Sequence, residues 1–464
     1  MRPFKMLASC IAVCSIGSIA VSSQSRSSSS AVLYEGGRLI VGDGSAPIEN
    51  GAVLVEDDHI AAIGPAPLTA RAGTLRIALT GKTVMPAMIN AHVHIGFEGY
   101  TTWGADNYTA ANVVDHLQRE AFYGTAATVS VGTNPLELAL QIEREQQAGK
   151  YPIASRFLFL PGMAPPNGGP DAVLRVATNA LHVINEVSTP AEARAAVTRL
   201  AGTQIRALKI WYDDRRGTYP KLTPETYLAA LDEAHKRGMT VHTHAIALAD
   251  QKFVVRAGTD VLVHMVQNEK LDEEYLALLK EKRPYWATVI GLGDPTELCK
   301  ADPFFEQALP ASVIAKIRAT TERRPLAPSC GAPPANAADR EAIMAYNFPR
   351  MIESGARIVL GTDTGIHPGH TFGSGEHVEL ARWVQLGLTP AQAIVAATRT
   401  PAELMGLKDM GTLAIGRRAS FIVLDANPLD NIRNTRRIAS VYLDGKRVDR
   451  DALIAKFKRT ESPR

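Results

Sequence analysis

Cysteine is scarce in this chain, with four in 464 residues, and two of them, Cys10 and Cys14, fall in an N-terminal stretch unlike anything after it. Neither Cys299 nor Cys330 lies in a cluster of the kind that ligates a metal or activates a thiol, so nothing points to sulfur chemistry. In an oxidising compartment the two could form one disulfide across a proline-rich excursion, or stay as separate buried thiols. Charge imbalance is also nearly absent: 50 Lys and Arg against 47 Asp and Glu leave +3, too little to argue for nucleic acid or an anionic membrane as partner. There is no internal repeat of useful length, which removes solenoids and propellers.

A membrane span is missing as well. Arg2 and Lys5 precede an apolar run from Met6 to Val21, followed by a serine-rich stretch to Ser30. That run is too short and too rich in small residues to cross a bilayer, and its layout is that of an export signal. Residues 1–30 are therefore set outside the fold, and a secreted or periplasmic protein is expected. A lipoprotein reading through Cys10 is disfavoured, because almost no apolar run precedes that cysteine.

What remains is 46% hydrophobic and 21% charged over the full chain, the balance of a globular protein with a large core. Short β-type runs with Gly, Pro and Asp punctuation fill residues 31–83, and the same texture returns in Ala419–Leu424 and Ile438–Leu443. The two ends are expected to combine into a small β-sandwich, with parts 31–83 and 405–464. Between them, in 84–404, strand-like and helical stretches alternate. The candidate strands are Val84–His94, Ala126–Val131, Phe157–Leu160, Ile205–Tyr212, Thr240–Ala245, Val261–Val266, Tyr285–Val289 and Arg357–Thr362. Their number is that of a (β/α)8 TIM-type barrel, so the fold class read here is α/β. Pro224–Arg237 and Pro390–Ala397 read as helices of the outer layer, and 302–340 reads as an irregular insertion.

The chemistry sits where those strands end. His92 and His94 are two apart on one strand, so both imidazoles share a face and can meet one ion. Lys209 stands in the apolar strand Ala207-Leu208-Lys209-Ile210-Trp211, a poor place for an ammonium. Carboxylated by carbon dioxide, it becomes an anion able to bridge two metals. His244 and His264 close the fifth and sixth strands, and Asp363 closes the eighth, after Gly361, where close backbone approach is possible. His242 shares a face with His244 but lies deeper, and is read as a supporting or core histidine. Tyr212, Arg215, Arg216, His367, His370 and His377 are the residues of the flanking loops that could contact substrate, with Tyr212, Arg215, His367 and His370 preferred.

Taken together the chain resembles the amidohydrolase superfamily, in its imidazolonepropionase-like and Xaa-Pro dipeptidase-like branch. The resemblance rests on 84–94 with its His92-Val93-His94, on Ile210–Arg215, on Arg256-Ala257-Gly258-Thr259-Asp260 leading to His264, and on Gly361-Thr362-Asp363. It continues through Gly387–Pro390, Ala396–Thr398 and Gly416–Ser420. It implies that His92, His94 and Asp363 bind one metal, that His244 and His264 bind a second, and that N6-carboxylysine at position 209 bridges them. Ala87, Asn90 and Ser420 stand where Gly, Asp and Asp are usual.

The function expected is binuclear hydrolysis of an amide bond, of the peptide or N-acyl amino acid type, through a hydroxide bridging two divalent cations. Asp363 is the expected proton carrier and zinc the expected metal, with manganese, cobalt and iron also compatible with these donors. Cyclic amide opening or deamination, and lactone or phosphoester hydrolysis, are the alternatives on the same centre. A non-catalytic scaffold is the alternative from another class. Beyond a small-molecule substrate and a second copy of the chain in a homo-oligomer, no partner is expected.

Overall fold

The computed structural model describes residues 31–203, 205–291, 299, 302–319, 330, 335–366 and 368–459. The export-type segment, 1–30, and His367 lie outside the described residues.

Five strands open the chain: β1 (Ala31–Leu39), β2 (Ile48–Glu56), β3 (His59–Pro65), β4 (Leu75–Ala78) and β5 (Thr83–Pro86). Ten more follow: β6 (Met88–Val93), β7 (Thr125–Val131), β8 (Arg156–Leu160), β9 (Gly162–Ala164), β10 (Ile184–Glu186), β11 (Ala207–Trp211), β12 (Thr240–His244), β13 (Val261–Val263), β14 (Tyr285–Ala287) and β15 (Arg357–Val359). β16 (Phe421–Leu424), β17 (Ile438–Leu443) and β18 (Lys446–Arg447) come last.

The two chain ends do combine, but into one mixed sheet ordered β18-β17-β16-β5-β1-β2-β3, with β4 added to β1. β4 and β5 run parallel to β1 while β2 runs antiparallel to it, so the strands of both ends share one mixed sheet. Its core is knit by Tyr34, Phe421 and Tyr442, three rings with centroids 4.7–5.2 Å apart, where edge-to-face and stacked contacts add to area burial.

The central strands form two parallel ladders, β6-β7-β8 and β10-β9-β11-β12-β13-β14-β15. β7 and β11 are buried along their whole length, as strands covered by helices on one face and side chains on the other must be. β8 and β9 are separated only by Pro161, which has no N–H to continue a ladder but whose carbonyl accepts from Lys209 N at 2.9 Å. On the far side, Ala91 N donates to Leu360 O at 2.7 Å, Thr362 N to His92 O at 3.0 Å and His94 N to Thr364 O at 2.7 Å. These bonds tie β6 to the segment that follows β15. Val261, Val263, Ala287, Val289 and Val359 pack together in one cluster that also includes Ala91 of β6.

Helices alternate with these strands, and their starts are written in the sequence. Thr223 caps Pro224–Lys236 with its side chain accepting from Thr226 N, and Thr389 with Gln392 forms a capping box on Pro390–Ala397. Each has proline in its first turn, where the missing N–H costs nothing.

Two expectations need correction. Val84–His94 is not one strand: Thr83–Pro86 pairs with β16 and β1 in the mixed sheet, and the chain passes at Ala87 to β6. The stretch 302–340 is not irregular throughout, since it contains helices Pro303–Glu306 and Ala311–Ala319 and the start of Ala337–Glu353. Of the two states left open for the cysteines, the structure has the bridge, Cys299 to Cys330, with Cα atoms 5.6 Å apart. Denatured but unreduced protein comprising 31–464 should therefore show no titratable thiol, and two after reduction. Free thiol before reduction would rule the bridge out.

Candidate metal centre

β6 delivers His92 and His94, and the segment after β15 delivers Asp363. Asp363 Oδ1 lies 3.1 Å from His92 Nε2 and 3.0 Å from His94 Nε2, and all three side chains are buried. Despite those distances the oxygen accepts no correctly directed hydrogen bond. Three donor atoms crowded together without bonding one another are arranged to share a cation, and the three lie within 4.8 Å of each other. His94 Nδ1 meets Thr133 Oγ1 at 3.1 Å, which fixes the ring so that Nε2 faces inward.

Close approach is what glycine permits here. A Cβ on Gly361 would come within 2.8 Å of His92 Cβ, and one on Gly365, at φ +95°, within 1.9 Å of His94 O. His264 and Asp363 themselves sit in left-handed backbone, at φ +73° and +57°. Such strain persists only where surrounding contacts hold it.

Lys209 and His244 project from β11 and β12. Lys209 is fully buried, and its Nζ has one polar contact among the described residues, His92 Nε2 at 3.4 Å, and lies 5.4 Å from the centre of the Trp211 ring. Burial disfavours the ammonium and brings its pKa down to about 7, against the pull of Asp363. The ring of His244 stands 4.4 Å from that of His264, which stands 6.2 Å from that of His92. Burial, then neighbouring cations, hold His92 and His244 well below the usual imidazole range, and burial takes His264 to about 4. At neutral pH these are neutral rings with a free lone pair, the form a metal needs. Burial alone would raise the Asp363 carboxyl, but the two histidines of β6 hold it low and ionised.

Arg215 was expected as a rim contact and lies deeper. Its guanidinium touches His244 Nε2 and pairs with Asp213, while Nε bonds Asp171 Oδ1 at 2.6 Å. Asp213 Oδ2 is also 3.0 Å from His244 Nε2. Asp213 was not singled out in sequence because Asp213-Asp214-Arg215-Arg216 looks like a solvated charge run, whose one signal is its position soon after a buried strand, and Asp171 stands in a distant loop with no such signal.

Tyr212 is a correction. Lys209 and Trp211 point inward, so Tyr212 points out, where it stacks on Phe253 at 4.9 Å and packs against Tyr227. His370 is tied to the loop after β6, its N donating to Glu98 Oε1 at 2.7 Å. His377 is spent on Thr435 Oγ1 and Tyr123 O, at 2.9 and 3.0 Å, and lines nothing.

Asn90 underlies the trio. Its Oδ1 accepts from His92 N at 3.1 Å, and its Nδ2 donates to Thr362 Oγ1 at 2.9 Å and Glu376 Oε1 at 2.6 Å. Glu376 and Glu120 are fully buried neighbours; burial raises both carboxyls, and the charge of Glu376 raises Glu120 further. An aspartate at 90 could not donate and would face this acid pair.

Residues 83–448 match the amidohydrolase family. Over 100 residues the chain is 38% identical to the imidazolonepropionase of Deinococcus radiodurans, a match spanning 21% of this chain and only 25% of that enzyme. Among solved structures it is similar to a Xaa-Pro dipeptidase with bound methionine in its active site, at 23% identity and TM-score 0.69, covering 90% of this chain and 99% of that one. Molinate hydrolase is similar at 20% identity and TM-score 0.70, with 92% and 96% covered. At these identities the two structures speak for the fold.

Because the Glu120–Glu376 pair is pushed above the ordinary carboxylate range, the stability it allows is complete below about pH 4.5 and is lost as pH rises through the raised values. Glu120→Gln removes one of the competing acids, so its melting temperature should fall less than wild type's as pH rises above about 4.5. Parallel curves would show that the pair does not titrate there.

Proposed function

The chain belongs to the amidohydrolase family, and on that premise we propose that it is a metal-dependent hydrolase of carbon–nitrogen bonds, cleaving an amide of the peptide or N-acyl amino acid type. The observation that carries this reading is the convergence of His92, His94 and Asp363 on one point, with Asp363 Oδ1 left without a directed hydrogen bond. In this reading the strands form a closed (β/α)8 barrel, supported by the bonds that tie β6 to the segment after β15 and by the β8–β9 continuity at Pro161. The centre then lies at its C-terminal mouth.

His92, His94 and Asp363 would hold one cation, His244 and His264 a second, and Lys209, as N6-carboxylysine, would join the two. The buried, nearly unpartnered amine of Lys209 supports that role, since an ammonium there would repel both ions. Zinc suits the nitrogen and carboxylate donors. Bound cations supply a water acidic enough to ionise near neutral pH and polarise the scissile carbonyl.

The protein's own groups do the rest. The ionised Asp363 carboxylate takes the proton of the attacking water and returns it to the leaving nitrogen, which would otherwise depart as an amide anion. Arg215, held between Asp213 and Asp171, is the cation that meets a substrate carboxylate, turning from His244 as it does so. His370 keeps the loop after β6 in place through Glu98. The Cys299–Cys330 bridge supports an oxidising compartment, in keeping with an export segment at 1–30.

Zinc-reconstituted protein in bicarbonate buffer should release amine from a panel of dipeptides, N-acyl amino acids and aryl amides, and lose this activity to a chelator. Asp363→Asn should lower turnover by about 10²–10⁴-fold with its metal retained. Lys209→Ala should bind one cation in place of two. Turnover unchanged in Asp363→Asn would overturn the proton-carrier role, and inert, fully metallated wild type would move the substrate to cyclic amides, lactones or phosphoesters.

A further inference from the structure

His242 lies on the inner face of β12, one layer below His244, and is not needed as a ligand in the reading above. It is 1% exposed, and neither Nδ1 nor Nε2 has a hydrogen-bond partner among the described residues. Leaving a buried polar group unpaired costs about 1–3 kcal/mol, which a leucine or valine would avoid. Three other buried histidines each have at least one ring nitrogen partnered, and His92 has one bare nitrogen where His242 has two. His116 bonds Gly96 N and Glu98 O, His377 bonds Thr435 and Tyr123, and His94 bonds Thr133. An imidazole with both edges bare, in a packed interior, is waiting for a group that forms later.

Its place identifies that group. In the parallel ladder Lys209 is the register partner of His242, and Val261 is its partner on the other side. Register partners point the same way from adjacent strands, so the one polar neighbour across either ladder is Lys209. Among the described residues the Lys209 amine has one long hydrogen-bond contact, to His92, and otherwise faces the Trp211 ring at 5.4 Å. Two adjacent buried side chains are thus short of partners: one can become an anion and the other is a neutral N–H donor.

We propose that His242 is the positioning residue for the carbamate of Lys209, its ring N–H donating to a carbamate oxygen so that the anion is retained and its lone pairs are turned toward the centre. This rests on the reading of Lys209 as carboxylated. The chemistry balances without an oxidant. The neutral Nζ attacks the carbon of carbon dioxide, an N–C bond forms as one C–O π bond breaks, the electron pair goes to oxygen, and the proton lost from Nζ passes to buffer. A hydrogen bond to the product anion is absent before the reaction, so it favours the carbamate over the amine.

The test uses the protein with zinc and ¹³C-bicarbonate. Wild type should show a carbamate resonance by ¹³C NMR, absent in Lys209→Met, and full zinc content by elemental analysis. His242→Leu should need about tenfold more bicarbonate for half-maximal carbamate signal and second-zinc uptake, which corresponds to about 1.4 kcal/mol. His242→Asn, which keeps an N–H donor, should recover most of the loss; a merely space-filling role would favour leucine over asparagine. Folded His242→Leu with wild-type bicarbonate dependence overturns the proposal while leaving the carboxylation of Lys209 intact. Wild type with no carbamate resonance overturns that carboxylation and the proposal with it. Should His242→Leu fail to fold, ring ¹⁵N shifts decide on the unmutated chain: those of His242 should move on bicarbonate addition in wild type and stay fixed in Lys209→Met, and immobility in wild type overturns the proposal.

Discussion

One carbonyl organises the centre. His92 O accepts from both Thr362 N and Asp363 N, at 3.0 and 2.9 Å, so the backbone of the last central segment is clamped to that of the first. The clamp requires that nothing stand between the two, and Gly361 meets the requirement. It also turns Asp363 into left-handed backbone and aims its carboxylate at the imidazoles on the strand it is clamped to. Residues 271 apart in sequence, His92 and Asp363, therefore come to 3.1 Å through main-chain bonds, before any side chain or ion contributes.

From that junction the burial pattern follows. A site at strand ends places its donors in a layer that the strands' own interior faces continue downward. Beside the valine layer lie histidines, an amine and carboxylates, nearly all cut off from water. Burial disfavours each ionised form, which is why the His92, His244 and His264 rings are held neutral, the lysine amine comes down to about 7, and the Asp363 carboxylate stays ionised beside two imidazoles. Beneath, Asn90 connects this layer to a second buried acid system, Glu376 with Glu120, through hydrogen bonds that only an amide can make on both sides.

The sequence made the strand ends legible because parallel, two-sided burial writes itself as short apolar runs, and the period of two sets which side chains share a face. Seven of the eight predicted strands correspond to β7, β8, β11, β12, β13, β14 and β15 with ends moved by a few residues, the first divides into β5 and β6, and Lys209, His92, His94, His244, His264 and Asp363 were singled out from their places at those ends. Tyr212 was misread for the same reason, since the alternation that turns Lys209 inward turns Tyr212 outward. What local pattern could not show was partnership across the chain. Asp171 meets Arg215 from a distant loop, and Glu120 meets Glu376 from a different helix. Ser420, an apparent departure, faces Asp444 at 3.1 Å, where an aspartate would meet a like charge.

Arg215 shows how such partnerships bear on substrate choice. A guanidinium and a divalent cation cannot both sit on His244 Nε2, so under the proposed two-cation function the loading of a second position would move the arginine outward. Arg215 is already paired with Asp213 and Asp171, which hold it at the rim. Under the proposed function, a guanidinium released from His244 would offer that edge to a substrate carboxylate as a bidentate partner, and this favours amino-acid-derived amides over neutral ones.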